Sequence, residues 1–196
     1  LSDKQWKKIL TNKKILVNKR MSRWNGEEYI SSRIDDFAST FGHAASLNPK
    51  RFINLVLSMD DDIEEIYINH LLNQVAFSEY LKDVPVNLLE KLILKYRYDY
   101  ESDRARYICE ILYKKENANW SKDIIDILND IAINHKDPKG EISNIISQNG
   151  KENNTLHMIQ TNAMNCTRGC VAMAIEKLLC DNEDLYTDFK STFEIL

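Results

Sequence analysis

The sequence contains few of the residues that interrupt regular secondary structure. Among its 196 residues there are only five Gly and three Pro, whereas Leu, Ile, Lys, Asp and Glu are plentiful. This balance is typical of a helical protein, because Gly and Pro are the residues that most often end helices and form tight turns. The sequence also has no apolar run of about 18 residues, which is the length a membrane-spanning helix needs. Nothing in it therefore predicts a membrane span.

Motifs for catalysis and for nucleotide binding are also missing. The sequence has no G-x-x-x-x-G-K-[ST] motif for the phosphates of ATP, no H-E-x-x-H motif for zinc and no G-x-S-x-G motif for a nucleophilic serine. Its four histidines, at positions 43, 70, 135 and 157, are scattered along the chain. Because no two titratable groups form a credible catalytic pair, we predict no catalytic residues, no cofactor and no metal. We interpret the chain itself as a non-enzymatic part of a longer protein.

Cysteine is scarce as well, with four residues at positions 109, 166, 170 and 180. No signal-peptide pattern opens the chain, so we expect reduced thiols and a cytoplasmic location. Cys166 and Cys170 are four residues apart and would lie on one face of a helix, where they could in principle share a metal ion. A second pair of ligands is missing from the sequence, however, and small buried thiols are the simpler interpretation.

Charge is unevenly distributed along the chain. Residues 1–23 contain eight basic residues and one acid, which gives them a net charge of +7. Because the net charge of the whole chain is −4, the remaining residues have a net charge of −11. Such a basic N-terminal helix could contact nucleic acid or an acidic surface of its own parent chain. It could equally be the solvated face of an amphipathic helix.

Helix signals recur along the whole sequence. Ser2 and Gln5 form a capping-box pattern, and the apolar period predicts a helix over Glu27–Leu47, weakened locally by Gly42. Asn48–Pro49 then ends that helix and begins another, with Pro at the first helical position. In total the patterns predict about ten helical segments and no strand.

The helical segments differ in length, which favours irregular α-hairpin repeats over a strict repeat motif. We therefore predict an all-α fold in which these hairpins stack as an α-α superhelix, a solenoid of the HEAT or TPR kind. Residues 1–196 are predicted to form one helical-repeat domain, which we interpret as a piece of a longer chain. Residues 139–154 are polar and Gly-containing, and they predict a flexible loop.

One stretch, NAMNCTRGCVAMAIEKLL at residues 162–179, has the clearest organisation. Val171, Ile175 and Leu178 follow the helical period and form one apolar stripe, which Leu179 adjoins. We expect Asn165 to cap the N-terminus of this helix, because an Asn side chain can accept from a first-turn N–H group. Asp181 begins the expected stop signal. The helix cannot be stable alone, because burying four large apolar side chains contributes about 6–12 kcal/mol and ordering its backbone costs about 16–30 kcal/mol.

Arg168 conflicts with two local rules for a helix N-terminus. It lies in the first turn, where the helix dipole disfavours a cation, and it takes the place where a capping box would have Glu or Gln. One interpretation is that Arg168 pairs with an acid on the adjacent repeat. The alternative is that it binds a partner.

Four segments together resemble one protein family. They are LSDKQWKKIL, ASLNPKRFINLVLSM, IYINHLLNQV and MNCTRGCVAMAIEKLL. Their order is similar to the helical-repeat C-terminal region of large bacterial STAND-type NTPases, which include the AVAST antiviral proteins. In that family a motif N-x-x-R-G-x-A introduces a repeat helix, and Asn165, Arg168 and Gly169 match it, whereas the alanine position is matched less closely.

The resemblance implies a sensor or scaffold region that recognises foreign protein in a parent chain with an effector and an NTPase. It makes Asn165, Arg168 and Gly169 candidate structural or partner-binding residues. The expected partner is a protein or another domain of the parent chain, without a membrane. The alternative function is nucleic-acid binding, for which the basic N-terminal region and the tyrosines at 96, 98 and 100 are the motivation.

Overall fold

The computed structural model describes residues 1–12, 23–24, 29–30, 33–60, 63–97, 103–137 and 165–195. Within these residues the secondary structure is helical, apart from one antiparallel pair of two-residue strands. The all-α prediction is therefore confirmed in its essentials. The chain divides into two compact units, Leu1–Tyr96 (unit 1) and Arg97–Leu196 (unit 2). The stacked superhelix and the single domain over residues 1–196 stay predictions.

Nine α-helices lie in the described residues, close to the ten segments predicted. Unit 1 contains α1 (Asp3–Leu10), β1 (Arg23–Trp24), β2 (Tyr29–Ile30), α2 (Arg33–Leu47), α3 (Pro49–Leu57), α4 (Glu65–Ala76), the 3-10 turn Leu81–Asp83 and α5 (Val86–Lys95). Unit 2 contains α6 (Arg104–Lys114), α7 (Lys122–Asn134), α8 (Thr167–Asp181), the 3-10 turn Glu183–Leu185 and α9 (Tyr186–Ile195). None of the helices described is long and apolar enough to cross a membrane.

The predicted start of the helix over Glu27–Leu47 was wrong. The sequence pattern placed it at Glu27, but α2 begins at Arg33, and β2 pairs antiparallel with β1 with Trp24 opposite Tyr29. Aromatic and β-branched residues favour the pleated backbone of a strand, and here the strand pairing prevails over the helical period. The prediction of no strands was wrong for the same reason.

Two predicted helix starts are confirmed. The Ser2 hydroxyl accepts from the Gln5 backbone N–H at 3.3 Å, and the Gln5 side chain accepts from the Ser2 N–H at 2.8 Å, which completes the capping box. Asn48 accepts from the Arg51 N–H at 3.2 Å and Pro49 is the first residue of α3. Local sequence signals therefore suffice to define these two helix ends.

Four aromatic rings form the centre of unit 1, and each comes from a different helix. Trp6 of α1 contacts Phe41 of α2 and Phe52 of α3 edge to face, with ring centroids 5.4 and 5.7 Å apart. Phe41 also contacts Phe52 at 5.5 Å and Tyr67 of α4 at 6.1 Å. All four side chains are buried, and each such ring pair adds about 0.5–1.5 kcal/mol to the burial of its area.

Polar contacts hold the ends of α1 and α3 in place. The Arg51 guanidinium donates to the Asp3 carboxylate and to the Leu1 carbonyl, both at 2.8 Å. At the other end of α3, Lys95 and the Tyr96 hydroxyl donate to the Val56 carbonyl at 3.3 and 3.0 Å. These contacts join the start of α1 to the start of α3, and the end of α3 to the end of α5.

In unit 2, α8 packs against α6 and α7, and α9 packs against α7. The predicted stripe on α8 is confirmed, since Val171, Ile175 and Leu178 are all buried. Phe189 fills the contact between α9 and α7, where Lys122 also forms an ion pair of 2.6 Å with Asp188. Helix α8 therefore lies at the centre of unit 2.

Several predictions concern residues outside the described ranges. They include the flexible loop at 139–154, Tyr98, Tyr100 and residues 13–22 of the basic N-terminal region. Within the described residues, α1 buries Trp6 and Leu10 and leaves Lys4 and Lys8 exposed.

Gly42, which weakens the helical pattern of the sequence, lies where α2 crosses α4 at close range. A Cβ atom built at Gly42 would be 2.9 Å from Cγ of Gln74 and 3.0 Å from the carbonyl oxygen of His70. These distances are shorter than ordinary van der Waals contacts. The lower helix propensity of Gly is therefore accepted here because it permits the close crossing.

We expect Gly42→Ala to destabilise the protein, although alanine favours helix by about 1 kcal/mol. Overpacking a tight contact costs about 1–3 kcal/mol, which outweighs this gain, so the free energy of unfolding should fall by up to about 2 kcal/mol in urea titrations. Ser39→Ala, on the exposed face of α2, is the matched control and should not lower it. An unchanged or higher stability of Gly42→Ala would contradict the close crossing.

The half-buried His70 at the same crossing should make stability depend on pH. Burial lowers its pKa from the ordinary value of about 6.5, and Asp35 opposes this effect. Because the folded state binds a proton less readily than the unfolded state, this contribution to stability is lost as the pH falls through the unfolded pKa. The urea midpoint should therefore drop less between pH 7.5 and 5.5 in His70→Gln than in the wild type. In His43→Gln, a control at an exposed histidine of α2, the drop should be unchanged.

Candidate functional site

The N-terminus of α8 contains the three candidate residues, and its geometry differs from the prediction by one position. The N-cap is Cys166, whose Sγ accepts from the Gly169 N–H at 3.3 Å. Asn165 lies outside the helix N-cap and is exposed, so its assignment as the N-cap was wrong. Asn is the better cap by local preference, but contacts with α7 determine where this helix begins.

Those contacts come from Asp137, which lies three residues beyond the end of α7. Its carboxylate accepts from the Thr167 N–H at 2.6 Å, and its carbonyl accepts from the Arg168 N–H at 3.2 Å. A carboxylate is stabilised at a helix N-terminus by the unpaired N–H groups and the positive end of the dipole. A residue about 30 positions earlier in the chain therefore performs the capping that was predicted for Asn165.

The Arg168 side chain makes the reciprocal contact. Its Nε donates to the carbonyl oxygen of Ala132, in the last turn of α7, at 3.1 Å. A cation is favoured at this end of a helix, where carbonyl groups lack partners. Each helix end is therefore contacted by a charged group of the favourable sign from the other helix or the residues just beyond it. This interaction offsets the unfavourable interaction of Arg168 with the dipole of its own helix. In the part of the chain that the structure describes, the Arg168 side chain donates to this carbonyl, whereas an acid was the expected partner.

A short turn at the end of α7 positions Asp137. The buried His135 is the C-cap of α7, and its Nδ1 accepts from the Asp137 N–H at 3.1 Å. Nδ1 must therefore be unprotonated, with the ring proton on Nε2 in the neutral form. We call the contacts among Ala132, His135, Asp137, Thr167 and Arg168 the α7–α8 joint.

The joint leaves the start of α8 without free donors for a ligand. Asp137 takes the N–H groups of Thr167 and Arg168, and Cys166 takes that of Gly169. A helix N-terminus binds anions through such groups, and here each of them already has a partner in the protein. Arg168 therefore contributes to the connection of two helices, whereas Gly169 bonds to the N-cap of its own helix.

Three cysteines lie close to the joint. Cys170 of α8 is buried next to Cys109 of α6, and burial raises the pKa of both thiols, that of Cys109 most strongly. Arg106 opposes the shift at Cys170 through its charge and a hydrogen bond. In the part of the chain that the structure describes, no three His, Cys, Asp or Glu side chains are arranged to hold a metal ion. Buried thiols are therefore the better interpretation of Cys109 and Cys170.

A second surface with functional character lies in unit 1. Leu47, Phe77 and Tyr80 have exposed fractions of 59, 61 and 42%, and we call them the apolar patch. The Ser78 hydroxyl donates to the Ser46 carbonyl at 2.6 Å, which joins the end of α2 to the end of α4 and brings Leu47 and Phe77 to the same region. This patch was not among the features predicted from the sequence. Its signal was present, because Phe77 and Tyr80 lie in an irregular connection, off the buried stripes of the helices.

We expect Arg168→Met to lower the stability of the protein by about 1–2 kcal/mol, because the Ala132 carbonyl loses a charged donor in a half-buried place. Asp137→Ala should cost about 1 kcal/mol through loss of the helix cap. Because both residues belong to one joint, the double variant should lose less than the sum of the single losses.

Glu176→Ala, on the exposed face of α8, is the control for these variants and should stay within about 0.5 kcal/mol of the wild type. Chemical denaturation of all four variants measures the effects. Wild-type stability in Arg168→Met would show that the joint is unimportant and would favour a role for Arg168 in binding a partner.

Comparison with protein-family models, with curated proteins and with solved structures finds no match to this chain. Its function is therefore inferred from its own residues and contacts.

Proposed function

We propose that this chain is a non-catalytic, protein-binding helical scaffold or sensor region of a larger bacterial NTPase that acts in phage defence. The resemblance to the C-terminal region of STAND-type NTPases supports the proposal that the parent protein is such an NTPase and that it is cytoplasmic. The missing catalytic motifs in the sequence support a binding role. The stacking of its irregular hairpins as an α-α superhelix belongs to the same proposal.

The apolar patch is the observation that carries this proposal. Large apolar side chains that are exposed together are typical of surfaces that bind other proteins, and aromatic residues are enriched at the centres of such interfaces. Phe77 and Tyr80 each expose a ring on the two sides of Ser78, which is bonded to Ser46 next to Leu47. A protein partner with an apolar surface of its own would remove these three apolar side chains from water.

The backbone that presents the patch is held by hydrogen bonds. The Ser78 hydroxyl donates to Ser46 of α2 and accepts from the Tyr80 N–H at 3.1 Å. Leu81 then returns to the core, where it is buried. Because the rings start from an ordered connection, a partner would not have to order this segment on binding, which lowers the entropic cost of association.

Nucleic-acid binding is the second candidate, and the surface of α1 favours it. Lys4 and Lys8 are exposed on this helix, and the only acid among residues 1–23, Asp3, already forms an ion pair of 2.7 Å with Arg51. The positive charge of α1 is therefore little compensated by its own sequence. Phosphate groups would bind such a surface with a strong dependence on salt.

Pairwise co-expression with each protein of one bacteriophage tests the protein-binding proposal. We expect a phage protein to co-purify with the wild-type chain. The double variant Phe77→Ser/Tyr80→Ser should bind it at least about 10-fold more weakly, because aromatic residues at interface centres contribute most of the binding energy. Surface changes of this kind should leave the thermal midpoint nearly unchanged.

The matched control is Tyr186→Ser/Phe193→Ser, which removes two exposed aromatic rings from α9 and should bind as the wild type does. Equal binding by both double variants would exclude the apolar patch as the site. If no phage protein binds, the sensor proposal is wrong. If the chain instead retains nucleic acid that is released by salt, the second candidate is correct.

A further inference from the structure

The start of α8 places two sulfur atoms next to each other at different levels of exposure. Cys166 is the half-buried N-cap, and Cys170 follows one turn later as a buried residue. Both are free thiols, as is Cys109, which is fully buried beside Cys170. The joint with α7 does not use the sulfur of Cys170, so its place beside the cap has no role in the contacts described above.

Capping does not explain why position 166 is cysteine. The preferred N-cap residues are Ser, Thr, Asp and Asn, and a thiol sulfur is only a weak acceptor. The bond from the Gly169 N–H to Sγ, at 3.3 Å, would be stronger with a serine hydroxyl. A cysteine at this position is more readily explained by the chemistry of its thiol.

The spacing of Cys166 and Cys170 is compatible with a disulfide. The Cys170 N–H donates to the Cys166 carbonyl at 3.0 Å, so the two residues have the separation of one helical turn, about 6 Å between Cα atoms. Disulfides join Cα atoms that are about 4.4–6.8 Å apart and Cβ atoms that are about 3.5–4.5 Å apart. Cβ atoms four residues apart on a helix are about 5–6 Å apart, so the link requires the first turn of α8 to shift. Side chains on a helix lean toward its N-terminus, which directs Cys170 toward Cys166, and the two thiols are close enough to interact electrostatically.

The surroundings give the two thiols different roles. The sulfur of Cys166 is half-buried at the start of α8, where it accepts from the Gly169 N–H, so a small oxidant can reach it. Burial raises the pKa of Cys170, which keeps this thiol protonated, while Arg106 donates to it. Cys166 is therefore suited to react first, and Cys170 is held in place to react second.

We propose that Cys166 and Cys170 form a reversible redox site that hydrogen peroxide converts to a disulfide. The Cys166 thiolate attacks one oxygen of the peroxide, the O–O bond breaks, and the products are a sulfenic acid and hydroxide, which is protonated to water. The Cys170 sulfur then attacks the sulfur of Cys166. The S–O bond breaks, and the departing hydroxide leaves as water with the proton of Cys170. In total, two thiols lose two electrons and two protons, and one peroxide molecule becomes two water molecules.

The disulfide would weaken the α7–α8 joint. Its formation removes the sulfur of Cys166 from the Gly169 N–H and draws Cys170 away from Arg106. The first turn of α8 includes Thr167 and Arg168, which bind Asp137. Oxidation at the cap therefore acts on the same turn that connects the two helices.

The experiment uses the reduced full chain, treated with a small molar excess of hydrogen peroxide. Mass spectrometry of the intact protein should show the loss of two hydrogen atoms, and peptide mapping should join Cys166 to Cys170. A dithiol reductant should reverse the change. Cys166→Ser and Cys170→Ser should not form the link, and serine at 166 keeps a capping oxygen, so that variant should remain folded. Cys180→Ser, which removes the exposed cysteine at the other end of α8, should behave as the wild type.

A link that instead includes Cys109 or Cys180, or oxidation of Cys166 without any link, would overturn the proposal. The thermal midpoint gives a second readout, and it should fall by about 4 °C or more on oxidation and recover on reduction. Cys166→Ser should show no such fall under the same treatment. An unchanged midpoint in the linked wild-type protein would overturn the connection between the redox site and the joint.

Discussion

Short helices in water require a neighbour, and this constraint governs both units of the protein. Helices of 8–15 residues are marginal when isolated, because nucleation is costly and each residue adds little. Each unit satisfies the constraint by gathering the apolar stripes of several helices. In unit 1 the aromatic rings of Trp6, Phe41, Phe52 and Tyr67 connect four helices. In unit 2, α8 packs against both α6 and α7.

Helix ends impose a second requirement, since their unpaired backbone groups also need partners. The protein meets it mainly through contacts between helices that are distant in sequence. The Asp137 carboxylate, just beyond α7, accepts from the first turn of α8, and the Arg168 guanidinium of α8 donates to the last turn of α7. Lys95 of α5 donates to the Val56 carbonyl near the end of α3. The same side chains that complete the helix ends therefore also fix which helices are neighbours. What remains exposed, above all the apolar patch, is the surface available to a partner.

Periodicity predicted the helices well, because the buried stripe is a property of each local segment. The stripe on α8 and the caps at Ser2 and Asn48 followed from residues within one or two turns. The errors arose where distant residues decide the outcome. Ile30 fits the helical period but lies in β2 and pairs with β1. Asn165 is a good cap by preference, but Asp137 binds the first-turn N–H groups in its place. The roles of Arg168 and the apolar patch also depend on contacts between segments about 30 residues apart, which no local pattern records.

The central claim is that α8 is stable only through its contacts with α6 and α7, so that these three helices open as one unit. Native-state hydrogen exchange of the full chain tests it most directly. The amides of Ala174 in α8, Ile111 in α6 and Ile131 in α7 should exchange with the same opening free energy and the same denaturant dependence. Exchange of Ala174 at a markedly lower free energy than Ile111 and Ile131 would contradict it, because α8 would then unfold while the rest of unit 2 remained intact.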